Sequence, residues 1–492
     1  MLLTDGYKLD HRRQYPDKTE YIYANWTARS NNHYPAAKDG YVVFGIQYMI
    51  TKYLIEDFNN NFFNQSLSQI SKNYLRRINT FLGPNQVGVE HIEALHKLGY
   101  LPIKIKALPE GILCPIGVPC LTITNTLPEF FWLVNYLETL ISNVLWMPMT
   151  SATTARLYKK RLYEHAEKTG WRDNPTLDFL CHDFSMRGMA GIESSILSGM
   201  GHLTSFVGSE TIPAIEEIER YYDFDAEKGL LAGTVPATEH SVMCAGSKEN
   251  EIDTFKRLLD LYPSGFVSIV SDTWDLWKVC TEYLPTLKDQ IMARDGRLVI
   301  RPDSGDPVDI ICGLSPHFKD DYGKPEYKGV YELLWDTFGG IINEKGYKVL
   351  DTHVGIIYGD AITLERQDDI YRRLEEKGFC ASNLVLGIGS YTYQYVTRDS
   401  LGFALKTTWC QIDGQAQELF KRPITDNGVK NSLKGLLRVD LDDDNKIVVF
   451  ENQIRQSEEG GLLSVIFKNG HLFIDTHLQE IRERINMTLW QR

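Results

Sequence analysis

The 492-residue chain contains eight cysteines but no C-x-x-C pair, and they lie scattered between Cys114 and Cys410. That spacing argues against a zinc ribbon or a disulfide framework and favours reduced thiols. Basic residues are in deficit: 52 Lys and Arg face 65 Asp and Glu, a formal net charge of −13. Such a balance argues against general nucleic-acid binding, although it permits a small basic pocket for phosphates. Long apolar runs are also missing. The longest, residues 130–149, is interrupted by Asn135, Glu138, Ser142 and Asn143 and reads as a buried helix rather than a membrane span. Asp5, Lys8 and Asp10 break the first ten residues, where the apolar core of a secretory signal would begin, so a cytoplasmic protein is expected. There is no internal repeat, low-complexity tract or Gly/Ser linker. The signatures G-x-x-x-x-G-K-[ST], H-E-x-x-H, G-x-S-x-G and the EF-hand loop do not occur, which weighs against the classes that depend on them.

The composition that remains, 43% hydrophobic and 24% charged, is that of an ordinary globular protein, and its length suits two or three domains. Residues 1–125 mix short strand-like runs (21–26 and 41–44) with helices, and 111–125 alternates around Pro115 and Pro119 as a β-meander does. Two long helical patterns follow, over about 128–147 and 151–168, the second opening on Ser and Thr. From about Leu177 the texture changes. Apolar β-rich runs (LDFLC, FVSIV, RLVI, VGIIY, LVLGI) each end in a polar or glycine-containing turn and then helix-compatible sequence. Asp272 to Asp303 spans 31 residues and Asp360 to Gly389 spans 29, each about the length of one βα unit. Parallel strands with functional groups at their carboxyl ends suit a β/α barrel; a doubly wound open sheet obeys the same rule. After about Phe403 the pattern turns antiparallel, and 477–489 closes the chain as an amphipathic helix. The expected architecture is therefore α/β: a barrel-like core of parallel strands over 151–400, with a mixed β-rich second domain built from 1–150 and 401–492.

The strand-end acids Asp183, Asp272, Asp303 and Asp360 are individually ordinary helix caps. In a barrel, however, such ends converge on one mouth, where carboxylates hold Mg²⁺ and a ribose. The densest motif is Arg301-Pro302-Asp303-Ser304-Gly305-Asp306-Pro307. Pro302 and Gly305 suit a tight turn, and Asp306-Pro307 an N-cap followed by the first helical position. Arg301, a charge at the end of a buried strand, needs a carboxylate or a polar ligand. Gly359-Asp360 and Gly387-Ile388-Gly389-Ser390 stand where small residues let backbone N–H groups approach a phosphate. Phe184 and Arg187 follow another strand; Phe184 is either core or a flat surface for an aromatic ring. His240 is either structural or a phosphoryl acceptor. Asp440 to Asp444 read as a solvated hairpin turn. These residues point to a barrel enzyme handling a phosphorylated, ribose-containing substrate with Mg²⁺.

The motifs themselves resemble the nicotinate/nicotinamide phosphoribosyltransferase family. The matching segments are LLTDGYKLDHRRQYP near the N-terminus, FGIQYMITKYL at 44–54, HDFSMRG at 182–188, VPATEHSVM at 235–243, VSIVSDTWD at 267–275, LVIRPDSGDP at 298–307, YGDAITL at 358–364 and YTYQYVTRD at 391–399. They run colinearly from Leu2 to about Asn486. The resemblance implies a dimeric type II phosphoribosyltransferase that joins nicotinamide to phosphoribosyl pyrophosphate with Mg²⁺. It implies that Phe184 and Tyr7 of the partner subunit sandwich nicotinamide, with Glu210 and Arg301 facing the carboxamide. Asp272 and Asp303 would lie by the ribose and the metal-bound pyrophosphate. Arg187, Gly359, Asp360 and Gly389 would line the nucleotide, and Arg29, Arg398, Lys406 and Lys421 the pyrophosphate and triphosphate. His240 matches the histidine phosphorylated when ATP hydrolysis is coupled to synthesis. The chain departs from the vertebrate-type pattern at Glu210 (Asp there), at Ser390 (a second glycine) and at Ser185-Met186 (Gly-Tyr). A nicotinate phosphoribosyltransferase and a non-catalytic binding or signalling dimer are the alternatives. Glu210 argues against the first, since an acid beside the ring substituent favours a neutral amide. Retention of Asp272, Arg301, Asp303 and His240 argues against the second.

Overall fold

The computed structural model describes residues 1–170, 175–314, 323–359, 361–421 and 433–489. The chain divides into two compact units, one of residues 1–154, 216–225 and 396–492, the other of 155–215 and 226–395.

The first unit is built on an antiparallel seven-stranded sheet. Its spatial order is Gln415–Glu418, Phe403–Ile412, Thr19–Ala28, Pro119–Asn125, Ile103–Ala107, Ser464–Lys468 and His471–Leu472. Thr19–Ala28 is central and covered on both faces, which accounts for its run of Tyr, Ile and Trp rather than a clean polar alternation. Trp26 stacks on Phe403 at 5.2 Å across this strand pair. The acidic stretch after Arg438 is the turn of a separate hairpin, Leu436–Leu441 with Ile447–Gln453; Asp442 accepts the backbone N–H groups of Asp444 and Lys446 there.

The second unit holds the parallel strands. Cys181–Asp183, Gly208–Ser209, Ser264–Val270, Asp295–Arg301, Val354–Tyr358 and Leu384–Ile388 form one sheet in which every pairing is parallel. The last of these strands pairs with the first. The two remaining edges are joined through residues 233–237, which make parallel bridges to Gly208 on one side and Ser268 on the other. Each strand thus lies beside its neighbour in sequence all the way round. A doubly wound sheet would reverse direction at a switch point, so this order selects the barrel.

One expectation needs correcting. The two helical patterns expected either side of residue 150 are, from Glu138, a single helix, Glu138–Thr169, that carries Pro148 inside it. The Ser/Thr cluster that reads as a helix start is mid-helix. Its hydroxyls donate back to carbonyls one turn earlier, Thr150 to Trp146, Thr153 to Met149 and Thr154 to Thr150, so they need no non-helical backbone. All eight cysteines are unpaired. Among the described residues, no helix is long and apolar enough to cross a membrane.

Candidate active site

The parallel ring collects its polar groups just past the carboxyl ends of its strands. After Cys181–Asp183, the buried Asp183 carboxylate accepts the Ser185 N–H at 2.9 Å and the Thr211 hydroxyl at 2.8 Å. It therefore knits two successive loops, the bland role open to any strand-end acid. Phe184 follows, anchored by its N–H to the Ile388 carbonyl at 2.9 Å. Its ring is only half-buried, so it is not core, and it stands 4.7 Å from the His182 ring at a 35° tilt.

Glu210 follows Gly208–Ser209, its N–H donated to the Asp183 carbonyl at 3.0 Å. Its Oε1 accepts His182 Nε2–H at 2.9 Å and the Thr234 hydroxyl. The His182 hydrogen bond is the largest influence on the Glu210 carboxyl and holds it below its ordinary range. Burial opposes that shift, while Thr234 and the nearby Arg301 charge add to it.

Arg301 ends the Asp295–Arg301 strand. One Nη donates to the Thr238 carbonyl at 2.6 Å, while Nε is buried without a hydrogen-bond partner. Burial lowers its pKa, against the pull of the Asp303, Asp272 and Glu210 charges; Arg187 reinforces the lowering. Asp272 Oδ2 accepts the Asp303 N–H at 2.8 Å and the Ser304 hydroxyl at 2.6 Å. Its Oδ1 is buried without a hydrogen bond, and His240 Nε2 stands 3.4 Å away on a half-exposed side chain. Asp306 caps the Pro307–Cys312 helix through Val308 and Asp309, as its sequence setting predicts.

The glycines differ in role. A Cβ on Gly359 would sit 3.0 Å from Asp303 Oδ1, whereas one on Gly387 would press to 2.7 Å from the Gly359 Cα. Gly387 thus serves strand-to-strand approach, while Gly389 faces open space. Ser390 lies against Gly188, where an added Cβ would fall 2.1 Å from its Oγ; Arg187 and Gly188 are exposed in the same turn. Asp360 lies outside the described residues.

The other compact unit carries its own group. Arg29 Nε donates to the Gly402 carbonyl at 2.9 Å. Burial first, and then the charges of Arg29, Lys421 and Arg398, lower the pKa of Lys406 against the opposing pull of Glu138. So dense a set of like charges invites a polyanion. Exposed Tyr7 lines a cavity of about 230 Å³ with Asp5, Glu138 and Arg398.

Among the described residues, no three or more His, Cys, Asp or Glu side chains are grouped to hold a metal by themselves. The buried Asp272 Oδ1, which accepts no hydrogen bond, does fit a cation that brings most of its ligands from elsewhere. Sequence reasoning assigned no role to His182, Thr234, Thr238 or Ser304. His182 was visible only as part of a motif, and of the two threonines Thr234 lies within, and Thr238 just after, the short segment that closes the ring.

Fold and mouth together define a class. Residues 179–469 match the nicotinate phosphoribosyltransferase family, and residues 1–105 match the N-terminal domain of nicotinamide phosphoribosyltransferase. The chain belongs to the nicotinate phosphoribosyltransferase family. Among its relatives, it is 52% identical over 496 residues to the nicotinamide phosphoribosyltransferase of Acinetobacter baylyi, covering 99% of this chain and 96% of that protein. It is 36% identical to the enzyme of the same name from Mycoplasma pneumoniae, over 88% of this chain and 94% of that one. Its fold is shared with human nicotinic acid phosphoribosyltransferase, at a TM-score of 0.55 and 16% identity, covering 99% and 93% of the two chains. The same score, at 15% identity and 99% and 94% coverage, relates it to nicotinate-nucleotide pyrophosphorylase from Pyrococcus furiosus.

Proposed function

We propose that the protein joins nicotinamide to C1′ of phosphoribosyl pyrophosphate, forming nicotinamide mononucleotide and pyrophosphate in NAD salvage. The observation that carries this reading is Glu210. Its carboxyl is held below the ordinary range, so it is an anion, and it stands partly exposed at the mouth with Oε1 already engaged. Such a group accepts the N–H of a carboxamide and repels the carboxylate of nicotinate. Phe184 supplies a ring face for the pyridine, with Tyr7 of the partner subunit opposite in a homodimer. Arg301 reaches the carboxamide oxygen.

Cleavage of the C1′–pyrophosphate bond builds positive charge on the ribose, which the Asp272 and Asp303 carboxylates stabilise. The pyridine nitrogen already carries a free lone pair, so positioning replaces a general base. Asp272 or Asp303 would help hold a Mg²⁺ brought mainly by the pyrophosphate, and the ion would supply positive charge to the leaving group. Arg187, Gly359, Asp360, Gly389 and Ser390 hold the nucleotide and its 5′-phosphate. Arg29, Arg398, Lys406 and Lys421 take the pyrophosphate and the ATP triphosphate, and His240 carries the phosphoryl group when ATP drives synthesis. The reaction is cytoplasmic.

The test is mononucleotide formation from phosphoribosyl pyrophosphate and Mg²⁺ with nicotinamide and nicotinate side by side, with and without ATP. A strong nicotinamide preference is expected. A nicotinate preference overturns the base assignment, and no product from either leaves a binding dimer as the reading.

A further inference from the structure

We propose that His182 is the positioning residue that sets base selectivity, acting through Glu210; this rests on the nicotinamide reading of the site. His182 and Gly208 are register partners on adjacent parallel strands. A Cβ on Gly208 would fall 2.6 Å from His182 Nδ1, so the glycine lets the imidazole lie against the neighbouring backbone and fixes its plane. The ring is almost wholly buried, with only 10% of its side chain exposed. From that fixed plane it reaches two functional groups. One edge donates Nε2–H to Glu210 Oε1 at 2.9 Å, and one face packs beside Phe184 with ring centroids 4.7 Å apart.

The consequence is a division of labour between the two Glu210 oxygens. Oε1 accepts both His182 and Thr234, which uses its two lone-pair directions. Oε2 is left to face the ligand. A glutamate has one more rotatable bond than an aspartate, and a half-exposed glutamate without a tether samples several rotamers. The His182 hydrogen bond removes that freedom. It points Oε2 at the place where the carboxamide N–H₂ would sit and keeps the carboxylate charged, so that nicotinate is repelled. The same imidazole supports the ring wall, so amide and pyridine are located by one buried residue.

The experiment is a double-mutant cycle read in steady-state kinetics. His182→Ala is expected to raise KM for nicotinamide about tenfold and to narrow the preference over nicotinate, because a hydrogen bond to a charged group is lost. KM for phosphoribosyl pyrophosphate and the native circular dichroism remain those of the parent, which a general loss of structure would not allow, while the cavity left by the buried ring lowers the melting temperature. His182→Gln, whose amide N–H reaches the same oxygen, recovers most of the selectivity. In a Glu210→Ala background, where no oxygen remains for His182 to hold, His182→Ala costs much less than in the parent, leaving only its packing on Phe184.

Equal, multiplicative effects in both backgrounds, or unchanged nicotinamide KM in His182→Ala, overturn the proposal. Failure of the underlying reading is separately visible. If the unsubstituted protein makes no nicotinamide mononucleotide, the function falls and the tether with it; nicotinamide turnover with an additive cycle removes only the tether.

Discussion

Asp272 and Asp303, each just past the end of one of two neighbouring barrel strands, are tied together: the Asp272 carboxylate accepts the backbone N–H of Asp303 at 2.8 Å. One carboxylate thereby sets the turn that presents the other. Asp303→Ala is expected to lower kcat at least about 10²-fold without loss of the fold, because the charge beside the reacting ribose is lost. Asp272→Ala should do the same and also loosen the turn. Near-native turnover of Asp303→Ala, with normal circular dichroism, would remove Asp303 from the mechanism.

Two glycines one strand apart should respond differently to the same methyl group. Gly387→Ala drives a Cβ into the backbone of the adjacent strand at Gly359 and Tyr358, and is expected to cost about 1–3 kcal/mol of stability in urea unfolding. Gly359→Ala instead meets the Asp303 carboxylate at 3.0 Å. Its expected signature is a fall in kcat with a nearly unchanged unfolding midpoint.

His91 is buried against Trp132 and Tyr74, and burial, with Arg12 adding to it, pushes its pKa down to about 4 from an ordinary 6.5. The folded state therefore binds fewer protons than the unfolded chain between these values. Above pH 6.5 both states hold a neutral ring and nothing is lost; as pH falls below 6.5, the unfolded state gains protons and stability drops. Between pH 7 and pH 5 this one group should cost about 2 kcal/mol. Urea unfolding of His91→Phe at the two pH values is expected to show a smaller drop than the parent.

His240→Ala is expected to leave basal synthesis measurable while removing its stimulation by ATP, since the imidazole stands half-exposed at the mouth beside Asp272. Comparing rates with and without ATP in that variant checks the phosphohistidine proposal; full stimulation would sink it.

The parallel strands were legible because burial on both faces leaves unbroken apolar runs such as residues 354–358 and 384–388. Residues 233–237 were not, since a segment held by isolated bridges carries no run at all. The Ser/Thr opening of the second helical pattern misled for a local reason: such residues favour helix starts, but here the hydroxyls of Thr150, Thr153 and Thr154 bond back to carbonyls one turn earlier inside Glu138–Thr169. At the mouth, Arg301 stood out because a charge on a buried strand end demands a partner. His182 did not, because its importance depends on the register that sets it opposite Gly208, and register is a property of two strands rather than one.

That Thr19–Ala28 strand, sandwiched in the sheet of the first unit, has a consequence for how the protein is made. Tyr23 pairs with Thr124 on one side but with Trp409 on the other. On the ribosome, the early strand must wait with one bare edge while nearly three hundred further residues emerge, including every strand of the barrel. An unpaired edge of Tyr, Ile and Trp is a template for wrong partners during that interval. Chain order thus makes the barrel the part able to mature first. The terminal strands finish the unit that began synthesis, so premature termination before Phe403 would release a chain with its first sheet permanently open.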